Sequence, residues 1–268
     1  MKTITHIIKG VIIGIATLVP GVSGGTMAII LGLYDEIIHS ISSFFKDIKG
    51  NIIFLATVGI GGAIGLFGFS RLMKFCLENF EYPMIYLFIG IIIGGIPVLY
   101  KKANEGKRAP SNWLYFVIGF AIILIMSLYT GTIVNLANST GVLQFVFLFI
   151  AGIIIAVALI LPGIGTSFML LALGMYDITV NAISNFEINF LIPIALGVGF
   201  GIIATTKLLE NFMTKKPSQT YMLILGFVIG SIIEVFPGIP QGFDITISIA
   251  TFLLGFIVIK FMGEKFAE

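Results

Sequence analysis

Charge is what this sequence has least of. Only 10% of its 268 residues are Asp, Glu, Lys or Arg, against 58% hydrophobic, and the mean hydropathy is +1.12. A soluble domain carries about 25% charged residues. This chain has too few to coat a surface facing water, so lipid is its solvent. Cysteine is nearly absent too: Cys76 stands alone, which excludes an internal disulfide and a thiolate metal cluster. The histidines are His6 and His39, too few for a multi-histidine centre, so neither a metal nor a cofactor is expected. The formal net charge of +2 is too small to point to nucleic acid.

What the chain does have is long uncharged stretches, at 11–33, 51–70, 82–100, 109–176, 188–206, 217–233 and 245–259. About 20 apolar residues cross the hydrocarbon core as a helix, and most of these runs are near that length. The run 109–176 is too long for one crossing. Asn135, Asn138, Ser139, Thr140 and Gly141 divide it, and Pro162-Gly163 interrupts the remainder. Lys2 and Lys9 precede an apolar run with no small-x-small cleavage site, which reads as an uncleaved first membrane segment.

The chain also repeats itself. Residues 14–44 and 156–186 align without a gap at an offset of 142, with eleven of 31 positions identical. The identities include Pro20/Pro162, Gly21/Gly163, Gly32/Gly174, Tyr34/Tyr176 and Asp35/Asp177. Further on the offset becomes 136, pairing Arg71 with Lys207, Gly90 with Gly226 and Gly94 with Gly230. Final spans at 113–136 and 245–262 close the two copies. One membrane domain, 1–268, is thus expected to hold two repeats, 1–140 and 141–268.

Charge then orients the spans. Lys2 and Lys9, the loop with Lys101, Lys102, Lys107 and Arg108, and the group Lys207, Lys215 and Lys216 belong on the cytoplasmic side. Asp177 with Glu187, and Glu234 with Asp244, mark the opposite side. One arrangement satisfies all of these. Each broken segment, 10–33 and 143–175, enters and leaves on the same side as a hairpin, and three ordinary spans follow it. The second copy is then inverted. The expected fold is an all-α integral membrane protein with an inverted-topology repeat, each half a re-entrant broken hairpin plus three transmembrane helices. Both termini are expected to be cytoplasmic.

Broken backbone at membrane depth survives only inside protein or along a polar cavity. The two breaks, Pro20 to Thr26 and Pro162 to Ser167, precede short apolar helices. Their free amides and hydroxyls suit an anion, and paired Gly/Pro interruptions in two inverted halves point to a transporter's binding site. The candidates are Gly21, Ser23, Gly24, Gly25 and Thr26 with Gly163, Gly165, Thr166 and Ser167. The plainer reading, that these glycines only let the hairpins turn and pack, stands beside it. Arg71 and Lys207 suit either gate cations for a phosphate or interfacial anchors. Asp35 and Asp177 suit either proton coupling or capping of the next helix, and His39 either a proton step or a polar position on an amphipathic helix. Gly59, Gly61, Gly62 and Gly65 read as close-packing positions.

The strings LVPGVSGGT, LPGIGTSF and LGLYD/LGMYD resemble the bacterial polyprenyl-phosphate (undecaprenyl-phosphate) translocase family over essentially the whole chain. That resemblance implies a flippase of the bacterial cytoplasmic membrane. It would return undecaprenyl phosphate from the outer to the inner leaflet for lipid-carrier recycling, by alternating access, with that lipid and the surrounding membrane lipids as partners. The second loop departs from the family's usual Pro-Gly-Ile-Ser-Gly-Ser. Gly165 supplies no hydroxyl here, so Thr166 or Ser167 must. A channel or transporter for a small inorganic anion is the alternative, because the same loops would serve it. An intramembrane serine hydrolase would need a base beside Ser23, and His39 lies outside the hairpin. No enzymatic activity is expected.

Overall fold

The computed structural model of the chain describes residues 2–18, 22–105, 109–128 and 141–266. The regular elements among them are all helices: α1 (Lys2–Ala16), α2 (Gly24–Ile30), α3 (Tyr34–Ser42), α4 (Ile48–Asn79), α5 (Glu81–Ala103), α6 (Asn112–Leu128), α7 (Val142–Ile160), α8 (Thr166–Ala172), α9 (Tyr176–Ser184), α10 (Ile188–Lys215), α11 (Pro217–Val235) and α12 (Asp244–Phe266). Six of these, α4, α5, α7, α10, α11 and α12, are long and apolar enough to cross a bilayer. Large apolar side chains cover the outer surface, such as Ile60, Ile64 and Phe67 on α4 and Leu253 and Ile257 on α12. Exposed apolar area on this scale is tolerable only against lipid tails. The chain is a multi-pass, all-α membrane protein. The end of the expected span 113–136, the boundary near residue 140 and the basic pair Lys107-Arg108 lie outside the described residues.

The repeated Gly-x-Tyr-Asp has a local cause. α2 and α8 start 142 residues apart, and so do α3 and α9. Gly32 (φ +68°) and Gly174 (φ +67°) end the short helices in the left-handed conformation. Leu33 N–H then reaches back to Ala28 O, and Met175 N–H to Leu170 O, each at 2.8 Å. This Schellman closure satisfies orphan carbonyls and turns the chain sharply. Tyr34 and Tyr176 therefore open the next helix at equivalent places.

Glycine sets the helix pairing. A methyl group on Gly61 of α4 would lie 2.3 Å from the Ile7 carbonyl oxygen of α1, and one on Gly197 of α10 would lie 2.0 Å from that of Phe149 on α7. Likewise one on Gly90 of α5 would meet Phe252 O of α12 at 2.1 Å, and one on Gly226 of α11 would meet Phe116 O of α6 at 2.2 Å. All four pairs run parallel at backbone contact, where packing replaces the hydrophobic effect as the driving force. The α1/α4 pair corresponds to α7/α10, and α5/α12 to α11/α6. Gly65 packs as Gly61 does, against Val11 O, and Gly62 faces Gly14, but Gly59 meets nothing within 4 Å and has no packing role.

The contacts also sort the elements by end. Lys102 late in α5 binds Asp35 of α3, Glu210 late in α10 binds His39 of α3, and Tyr221 early in α11 binds Asp35, so these share one end. At the other end Thr251 of α12 donates to Pro83 O of α5 at 2.7 Å, and Tyr86 donates to Gly238 O at 3.1 Å. α1 starts at the first end, where the His6 ring meets Phe54 at 5.1 Å. α7 runs parallel to α10 and starts at the second. The two broken segments therefore approach from opposite ends of the bundle.

A Gly197→Ala substitution overpacks the α7/α10 contact and should cost about 1–3 kcal/mol. Gly199→Ala, where a methyl group meets open space, should leave stability unchanged or slightly raised. Thermal unfolding of the detergent-solubilised protein compares the two.

Candidate functional site

The two breaks meet. The Gly163 amide donates to Thr26 Oγ1 at 2.9 Å in a buried contact, and Gly25 packs against Pro162. Tyr34, at the start of α3, donates its hydroxyl to Ile160 O at 2.8 Å, satisfying a carbonyl at the end of α7. The first segment thus supplies side-chain partners for two backbone groups of the second, as backbone at membrane depth requires. Gly163 is fixed by two constraints at once. Its φ is +84°, and a Cβ there would fall 2.6 Å from the α11 backbone at Phe227 and Val228.

Beside this junction lies a cavity of about 740 Å³. Thr17, Ser23, Gly24 and Gly25 line it from the first break, Gly165 and Thr166 from the second, and Glu234 from α11, amid apolar residues of α2, α3, α7 and α8. Ser23 caps α2, its hydroxyl accepting from Gly25 N–H at 3.2 Å. At the equivalent N-cap, Gly165 has no side chain to offer, so the first amides of α8 have no side-chain acceptor. The wall therefore combines hydroxyls and backbone donors with an apolar lining, which suits an anion carried on a hydrocarbon tail.

The sequence candidates divide by place. Ser23, Gly24, Gly25, Gly165 and Thr166 share the cavity wall. Thr26 and Gly163 are spent on one another. Gly21 and the Ser167 side chain lie outside the described residues. Arg71 and Lys207 are exposed on α4 and α10 and do not line the cavity. Asp177 is exposed at the start of α9. Asp35 caps nothing, since the N-cap of α3 is Leu33. Instead it accepts from Lys102 and, at 2.5 Å, from the Tyr221 hydroxyl. His39 contacts Glu210 at 2.5 Å, and Ser42 donates to the same carboxylate.

These contacts close one end only. α3 packs against α10, whereas no comparable packing joins α9 to α4. Tyr34 is buried, and its repeat mate Tyr176 is 37% exposed. Near the second end a smaller cleft of about 330 Å³ runs from Leu18 along α4 at Ser70, Lys74 and Glu78, and Leu18 lines both hollows.

Sequence reasoning missed Glu234, Tyr34 and the pair Lys102 and Glu210. Glu234 ends an uncharged run and so reads as a loop marker, yet it occupies the last turn of α11 and faces the cavity. The one available signal was the repeat itself, in which the matching residue is Val98.

Thr26→Val leaves the Gly163 amide buried without an acceptor and should cost about 1–3 kcal/mol. Thr26→Ser keeps the acceptor and should lose less. Thermal midpoints of the two variants read the difference.

Comparison with known proteins agrees with this geometry. A protein of Staphylococcus aureus named polyprenyl-phosphate transporter is 36% identical, over 98% of this chain and 97% of its own length. One of the same name from Vibrio cholerae is 25% identical, over 88% of this chain and 79% of its own. No solved structure matches the chain. A family described as undecaprenyl phosphate translocase-like matches residues 13–251, which take in both breaks and the cavity lining but leave out most of α1 and the C-terminal part of α12. By that match and by the relatives it resembles along its whole length, the chain belongs to the undecaprenyl phosphate translocase-like family.

Proposed function

We propose that the protein is a flippase that carries undecaprenyl phosphate from the outer to the inner leaflet of the bacterial cytoplasmic membrane. The observation that carries this reading is the junction of the two breaks. Ser23 and Thr166, from segments entering at opposite ends, line one cavity beside the Thr26–Gly163 bond. Family membership and the relatives' names supply the lipid. A phosphate headgroup needs donors in a water-accessible hollow, while its polyprenyl tail stays among lipid chains. A small inorganic anion would need no apolar wall, and nothing observed favours it.

The contacts support an inverted repeat, 1–140 and 141–268, working by alternating access. By the bias of basic residues toward the inner side, we assign the α3 end and both termini to the cytoplasm. On this reading the structure is the outward-open state. The cytoplasmic end is latched by Asp35 with Lys102 and Tyr221, and by Glu210 with His39 and Ser42. Arg71 and Lys207 attract the headgroup at the two membrane surfaces, each from its own side. In the inward-open state the latch parts and Tyr176 takes the Leu18 carbonyl, the repeat equivalent of the Tyr34–Ile160 bond. We assign no hydrolytic role to Ser23, whose described partner is the Gly25 amide.

In proteoliposomes, wild type should expose outer-leaflet polyprenyl phosphate to the lumen far faster than empty vesicles. Ser23→Ala should slow this about 10–100-fold, the loss of one hydrogen bond to a charged group. Equal rates in wild type and empty vesicles would remove the proposal, and inorganic phosphate uptake in the same vesicles would favour the alternative. For the cycle, Tyr34→Phe should loosen the cytoplasmic end. In a Cys76→Ser background, labelling of Ile41→Cys from that side should then rise, whereas unchanged labelling would argue against the tyrosine exchange.

A further inference from the structure

Glu234 is the feature that this reading leaves unused. It lines the cavity that Ser23 and Thr166 share, and its Oε2 atom is buried with no hydrogen-bond partner among the described residues. Among the described residues the wall contains no Lys, Arg or His; its other ionisable groups are Tyr34 and Tyr176, and the Tyr34 hydroxyl is committed to Ile160 O. Among the described residues, the elements packed on α11 supply no counter-ion there. α5 brings Tyr86, bonded to Gly238 O, while its Lys102 binds Asp35 at the far end. α6 carries no charged residue along its described length, and Tyr115 lies at its far end. α10 contributes Ile202 to the wall, with Lys207, Glu210 and Lys215 toward the far end. Glu187 and Glu81, at the near end, are exposed.

A lone carboxylate facing a phosphate in a poorly screened cavity repels it. Once protonated, the same group can instead donate a hydrogen bond to a phosphate oxygen. Binding the anion therefore demands a proton, and losing that proton expels the anion. The first repeat has Val98 at the matching position, so only one half carries such a group. A single carboxylate is also a poor site for a hard metal cation, which takes several oxygens, and no acidic cluster occurs among the described residues.

We propose that Glu234 is the proton-carrying residue of the transport cycle. Its carboxylate takes one proton from the outer aqueous phase as the headgroup enters the cavity and gives it to the cytoplasmic side as the headgroup leaves. One proton and one anionic lipid move together. This inference rests on the flippase reading and names its coupling.

The test uses wild type, Glu234→Gln and Glu234→Asp in liposomes containing a pH dye, with the membrane potential clamped and polyprenyl phosphate in the outer leaflet. For wild type, lipid entry should acidify the lumen, and a one-unit pH difference should shift the leaflet distribution about tenfold, as one coupled proton requires. Glu234→Asp should keep the response. Glu234→Gln should still bind the lipid but distribute it without regard to pH. A Gln variant that follows the proton gradient as wild type does overturns the proposal, and so does wild-type movement driven by sodium in place of protons. If the Gln variant does not fold, the lumen signal of wild type decides, because lipid entry without acidification overturns it. A wild type that moves no lipid under any gradient fails the flippase reading instead.

Discussion

A peptide group cannot be left without a partner at membrane depth, and this architecture follows from that constraint. Unbroken helices meet it alone. A broken segment cannot, and the second finds its partners in the first: the Gly163 amide on the Thr26 hydroxyl, and the Ile160 carbonyl on the Tyr34 phenol. The same breaks give the bundle hydroxyls and amides where lipid-facing helices have none to spare. The requirement that forces the segments together also furnishes a place for a charged guest.

The guest's path depends on a difference between two similar ends. At one, α3 is tied down by carboxylates that meet a lysine, a tyrosine, a serine and a histidine. At the other, α9 lacks matching packing on α4, and Tyr176 stays partly exposed. Two segments of related sequence thus have unlike surroundings, as the alternating access proposed above requires.

Much of the fold could be read directly from residues. Lack of charge named the solvent, and the shared Pro-Gly and Gly-x-Tyr-Asp located both breaks because Gly32 and Gly174 must take a left-handed turn. Close packing at Gly61, Gly62 and Gly65 was expected from the small residues there, though Gly59, with the same composition around it, faces open space, and which helices pair at Gly90, Gly197 and Gly226 was not legible. The site was harder to read. Composition reveals that a glutamate borders a span, not whether the last helical turn points it outward or in, so Glu234 passed as a loop residue. Thr26 and Gly163 were recognisable as polar and flexible, but that they bind one another depends on how two distant segments are brought together. Asp35 looked like a cap, but its hydrogen-bond partners, Lys102 and Tyr221, lie 67 and 186 residues away, beyond what local sequence reveals.

The closing helix of each proposed repeat packs on the other half: α12 lies against α5, and α6 against α11. A polypeptide of half this length would present the glycine face of α5 to lipid with nothing to fill it. Two such short chains could complete each other only by inserting in opposite orientations and exchanging their last helices.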